Sequence, residues 1–210
     1  MQPVHTHQEA RPGIPLIPGK RFFSPETGTI LCPDNVSKYL RQENVFTPDE
    51  IRELGTAPPA KLMVKATRKT LIVPLPGTSI KEMAAKFMPD WPPSFKMHAD
   101  HLSQAWVHER APARWVRLEL AHRLHWHLVP LESDEQVPTA REQVGLMLIC
   151  HEDPDLPNFM EAAVRHATST KAEDRFAISV RLYQKEFRFL NVSDHRLSDL
   201  SAVIIRSSVV

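Results

Sequence analysis

Residues 138–152 read PTAREQVGLMLICHE, and four short runs follow: EAAVRHA at 161–167, RFAISVRL at 175–182, FRFLNV at 187–192 and AVIIRS at 202–207. The first stretch predicts one helix. Pro138 stands where a helix start tolerates proline, and Ala140, Val144, Met147 and Leu148 recur as a stripe. The later runs are β-prone and separated by polar connectors, and Arg188 between Phe187 and Phe189 alternates charged with apolar. A helix followed by such strands predicts an antiparallel meander packed on helix 138–152. The fold class is therefore α+β: a helical front portion, then a helix packed on a small antiparallel sheet.

Working back from that stretch, residues 114–120 alternate Val116, Leu118 and Leu120 with Arg117 and Glu119, a half-buried strand pattern. Residues 97–110 read as a helix burying Leu102, Ala105 and Trp106. Ile80, Met83, Ala84 and Phe87 make 78–88 an amphipathic helix that Ser79 and Glu82 can cap. Residues 61–76 look extended: Leu71, Ile72 and Val73 are β-prone, and Pro74 and Pro76 end the run. The sharpest local signal is Thr47-Pro48-Asp49-Glu50. It puts Thr at the N-cap, Pro at N1 and Glu at N3, with Phe46 and Ile51 as a hydrophobic staple and Gly55 as the stop. A short helix over 34–43 would start on Asp34 as N-cap. Residues 1–33 hold Pro3, Pro12, Pro15, Pro18, Pro25 and Pro33 without a sustained period and read as a Pro-rich arm. The expected organisation is the arm at 1–33, a small helical and extended subdomain at 34–90, and an α+β domain at 91–210.

Composition sets the limits on function. The 210 residues are 42% apolar, enough for a core. Nineteen prolines against six glycines imply many fixed loops. The two cysteines, Cys32 and Cys150, are too few and too far apart for a disulfide framework, so they are read as reduced thiols of a cytoplasmic protein. The first thirty residues lack a signal-peptide pattern, and no apolar run approaches the ~20 residues of a membrane span. No membrane partner is expected. The net charge of +1 argues against general attraction to nucleic acid. Charge is uneven, however: residues 1–90 carry 12 basic and 9 acidic groups, and residues 134–210 carry 9 and 12.

Three groups of residues carry candidate chemistry. Lys61, Lys65, Arg68 and Lys69 fall within nine residues without an acid, a stripe that could follow a phosphate backbone. No aromatic side chain interleaves them for base stacking, and a lysine-guarded edge strand explains them as well. The histidines form two clusters. His98 and His101 would share one side of the helix at 97–110, with His108 about 10 Å further along it. His122, His125 and His127 form the second; in a strand, His125 and His127 point the same way and could share a zinc ion. Neither cluster matches a known zinc spacing, so no cofactor is expected and zinc is the one metal in question. Cys150-His151 reads as a buried thiol beside a histidine. Pro76-Gly77-Thr78-Ser79 is the nearest approach to an anion cradle, and a plain strand-turn-helix connection accounts for it equally.

In order along the chain, Arg114-Trp115, Glu135, Pro138-Thr139-Ala140, Val164-Arg165, Thr168-Ser169-Thr170 and Asp174-Arg175-Phe176 resemble an uncharacterised bacterial protein family over about residues 106–207. The resemblance implies a bacterial, cytosolic origin and brings no activity with it. Three functional expectations stand. The first is a non-enzymatic binding or accessory protein with a protein partner, because a well-patterned core comes without a convergent polar set. The second is a nucleic-acid-binding protein using Lys61, Lys65, Arg68 and Lys69. The third is a metal-dependent enzyme using His122, His125 and His127 with a carboxylate brought near by folding.

Overall fold

Leu71-Ile72-Val73-Pro74-Leu75 is buried at every position, so the strand it forms is covered on both faces. The computed structural model describes residues 22–24, 28–63, 70–87, 96–97, 103–121, 135–136, 138–151, 153, 155–156, 161–164, 178–183, 186–191 and 202–207. Strands β1 (Phe22–Ser24) and β2 (Gly28–Ile30) form a hairpin, and β2 runs parallel to β3 (Leu71–Leu75) with Thr29 opposite Leu71. β4 (Lys96–Met97) belongs to a second sheet; β5 (Arg114–Ala121) lies antiparallel to β3 in the first. β6 (Glu135–Gln136) completes that first sheet, whose order is β1-β2-β3-β5-β10-β6. β7 (Glu161–Val164), β8 (Ile178–Tyr183) and β9 (Glu186–Asn191) form the expected meander, with β4 parallel to β9. β10 (Ala202–Ser207) leaves the meander and pairs with β5, Ala202 opposite Ala121 and Ser207 opposite Val116. The six-stranded sheet thus takes strands from all three segments of the sequence reading. Hairpin β1–β2 comes from 1–33, β3 from 34–90, and β5, β6 and β10 from 91–210.

The parallel β2–β3 pair is joined through two short helices, α1 (Pro33–Tyr39) and α2 (Pro48–Leu54). The N-cap of α1 falls two residues earlier than expected. Cys32, not Asp34, is the N-cap: its N–H and its Sγ both donate to the Asn35 side-chain oxygen, at 2.9 and 3.1 Å, while Pro33 takes N1. α2 keeps its capping box, with Glu50 N–H on Thr47 Oγ1 at 3.2 Å and Thr47 N–H on Glu50 Oε2 at 2.8 Å. Of the two residues expected to form the staple, Phe46 is buried in the core while Ile51 is 48% exposed. α3 (Ile80–Lys86) begins on the Ser79–Glu82 box and buries Ile80, Met83 and Phe87, as its spacing predicts.

Pro74 does not end β3; it sits inside it, opposite Trp115. The reason lies in the neighbour. Leu31 N–H donates to Ile72 O at 2.9 Å, and β2 then gives way to α1 at Pro33, so no β2 carbonyl stands beside position 74 to need a donor. Of the helix expected over 97–110, the described residues instead form β4 at Lys96–Met97 and a 3-10 turn, Ala105–His108, that buries Val107; residues 98–102 lie outside the described residues. In β5 one polar position of the alternation, Arg117, is not solvated. Arg117 is fully buried and donates to Leu62 O at 3.0 Å, because the 3-10 turn Ala60–Leu62 closes over that side.

α4 (Ala140–Cys150) differs most from its sequence pattern. All eleven residues are buried, not one stripe. The helix packs on β3 of one sheet, on β7 and β8 of the other, and against α1 and α3. Tyr39 of α1 donates its hydroxyl to Asp153 beyond the end of α4. No helix among the described residues is long and apolar enough to cross a membrane. The architecture is α+β.

Candidate functional site: an arginine-lined cavity at the start of α4

Among the described residues three helices open on the same device, a Ser or Thr N-cap followed three residues later by Glu. In each, the glutamate also has a second partner far along the chain. Glu50 Oε1 accepts the Gly77 N–H at 2.9 Å. Glu82 Oε2 pairs with Arg110 Nε at 3.0 Å. Glu142 Oε1 takes Arg114, whose Nε lies 3.0 Å away and whose second guanidinium nitrogen also binds it. The first turns of α2, α3 and α4 are thereby tied to residues 77 and 110–114, the segments that flank β3 and lead into β5.

Between α3, α4 and that lead-in lies a cavity of about 280 Å3. Ile80, Trp106 and Pro112 supply apolar wall; Arg110, Arg114 and Arg141 supply charge. Arg110 and Arg114 are matched by Glu82 and Glu142. Arg141 is different. It is 8% exposed, and its guanidinium has one hydrogen-bond partner among the described residues, Pro76 O at 2.8 Å from Nη1. Five N–H donors in a rigid fork leave several to face the cavity. The amides of Ala140 and Arg141 have no acceptor within α4, since the first intrahelical bond runs from Gln143 N–H to Thr139 O. The positive end of the helix dipole therefore opens on the same space.

The ionisable groups here are tuned by their neighbours. Burial on its own raises the Glu142 carboxyl. Arg114, the Thr139 hydrogen bonds and Arg141 outweigh it and hold the group below the usual carboxylate range. Both oxygens of that carboxylate are engaged: Oε1 by Arg114, and Oε2 by Thr139 N–H at 2.9 Å and Thr139 Oγ1 at 3.0 Å. It is a fixed structural anion with little capacity left to accept a substrate proton. Burial pushes the Arg141 guanidinium down from its ordinary value, with Glu142 opposing. An arginine so placed still carries its charge at neutral pH. At the rim, Glu109 stands exposed.

The residues singled out from sequence fall elsewhere. Lys61 is exposed in the turn Ala60–Leu62, whereas Lys65, Arg68 and Lys69 lie outside the described residues. His122, His125 and His127 also lie outside them, as do His98 and His101; His108 is exposed at the end of its 3-10 turn. Among the described residues no group of three His, Cys, Asp or Glu side chains is placed to hold a metal ion. Cys150 is fully buried, and burial, with Asp153 adding to it, pushes its thiol well up, so it is no nucleophile. The Pro76–Ser79 cradle is filled from within the chain: Gly77 N–H is taken by the Glu50 carboxylate. A Cβ at Gly77 would stand 2.5 Å from Glu50 Oε1 and 2.6 Å from Ala111 O, so only glycine lets the two approach.

The sequence did hold one unread signal for this site. Thr139-Ala140-Arg141-Glu142 spells the same cap as Thr47–Glu50, and it marks the start of α4. The partnership with Arg114 and Pro76, 28 and 65 residues away, had no local sign. No protein-family model, curated protein or solved structure matches the chain.

Proposed function

We propose that this is a non-enzymatic binding or accessory protein, and that the cavity at the start of α4 is where it engages a protein partner. The observation that carries the reading is Arg141. A buried cation with a single neutral acceptor is costly to hold, and a ligand that brings an acceptor to it relieves that cost. The neighbouring Glu142 is saturated by Arg114 and Thr139, which favours recognition over proton transfer. A cytoplasmic setting in a bacterial cell fits two buried, free thiols.

The test is the native mass of the untagged protein purified at low salt, with its 260/280 nm absorbance ratio, for the wild type and for Arg141→Met. The expected result is a discrete added mass with a protein-like ratio in the wild type, and the bare chain in the variant. A raised ratio that collapses with salt would replace this reading with the nucleic-acid one through Lys61, Lys65, Arg68 and Lys69. Stoichiometric zinc, lost on replacing His125 and His127, would replace it with the metal-enzyme one.

A further inference from the structure

We infer that the cavity seats a single carboxylate carried on a small apolar body. This rests on the proposed binding role and names the chemistry that would be recognised. The charge balance sets the anion. Arg110 and Arg114 are matched by Glu82 and Glu142, which leaves Arg141 as the one lining arginine without a carboxylate bonded to it among the described residues. Glu109, the remaining lining carboxylate, is exposed at the rim, where water screens it, so within the cavity one positive charge and the opening amides of α4 suit one negative group. The walls set the rest of the ligand. Ile80, Trp106 and Pro112 face the same space, so an apolar body next to the charge gains contact that a bare ion does not. At about 280 Å3 the space lies just below the roughly 300–1,000 Å3 of small-molecule sites, enough for a carboxylate and one apolar group. The several phosphate charges of a nucleotide outnumber the one lining arginine that lacks a carboxylate among the described residues. The guanidinium fork favours a planar carboxylate, which can take two parallel N–H bonds.

Such a group has two sources, a free organic acid or the glutamate side chain of a partner beside an aromatic residue. Four probes separate the possibilities: benzoate, benzamide, inorganic phosphate and the capped dipeptide N-acetyl-Phe-Glu-amide. Each is titrated by calorimetry into the full chain, wild type and Arg141→Met, with Arg52→Met as control because Arg52 is exposed on α2, away from the cavity lining, and pairs with Asp49. Benzoate or the dipeptide should saturate at one site. Benzamide, isosteric but uncharged, should not bind. Arg141→Met should weaken binding by about 10–100-fold, the worth of a charge-assisted hydrogen bond. Arg52→Met should leave it unchanged. The tighter of benzoate and dipeptide identifies the source.

Equal binding of benzoate and benzamide would overturn the inference, as would tighter binding of phosphate, or indifference to Arg141→Met. If Arg141→Met fails to fold, Trp106→Ala replaces it: benzoate should weaken while acetate does not. A complex in the native-mass experiment without binding of any probe would sink this inference and leave the binding role standing. Probe binding without a complex would do the reverse.

Discussion

Replacing Glu142 by glutamine tests whether the start of α4 is held by charge or by packing alone. The side chain keeps its shape and can still accept from Thr139, so the cap is altered little. What changes is the partner of Arg114. The Arg114 side chain is 17% exposed and that of Glu142 1% exposed, and Arg141 is buried beside them. Breaking a buried pair by neutralising one member costs about 3–5 kcal/mol, because the remaining charge stays out of water. Arg114 retains some solvent, so the lower end applies, about 3 kcal/mol. For a chain of this size that lowers the melting temperature by roughly 6–12 °C.

The pH dependence gives a second reading of the same interaction. The Glu142 carboxyl is held below its ordinary value of 4.5, so its stabilisation is fully present above that pH and is lost as pH falls through the folded-state value. The glutamine variant has no such group. The stability gap between the two proteins should therefore be constant near neutrality and narrow progressively below pH 4.5. Urea unfolding at a series of pH values measures both quantities. A gap under about 1 kcal/mol at neutral pH, or one that does not change down to strongly acidic pH, would refute the reasoning. Replacing Arg114 by methionine in the Glu142→Gln background should recover part of that cost, since the cap on Thr139 is kept and the stranded guanidinium is removed.

Two further outcomes follow from the same region. Gly77→Ala should destabilise by about 1–3 kcal/mol in urea unfolding, from the contacts its Cβ would make with Glu50 and Ala111. Adding Glu50→Ala should not restore stability, because the Ala111 carbonyl stays in place. Cys150 should react with a thiol reagent only when the chain unfolds, at a rate that follows the denaturant dependence of global opening; rapid labelling in native buffer would mean that α4 is not packed as described.

What was legible in the amino-acid sequence was local. Thr47 with Glu50 and Ser79 with Glu82 form capping boxes within four residues, so their hydrogen bonds do not depend on the rest of the fold. The apolar content of 138–152 and the alternation after it were enough for a helix, an antiparallel meander and the α+β class, though only three of the four expected strands join that meander. The arm residues 22–24 and 28–30 became strands because β3 offers an edge, and nothing within 1–33 announces that edge. β10 repeats the pattern of the meander strands, yet its partner is β5, and periodicity does not name a partner. α4 is buried all round because two sheets and two helices meet on it, which a single chain's stripe does not reveal. The cavity was beyond local reading for the same reason. Arg114, Arg141 and Glu142 look like surface charges in the sequence, and only the packing of α4 between the sheets takes them out of water, where pairing and burial decide what each can do.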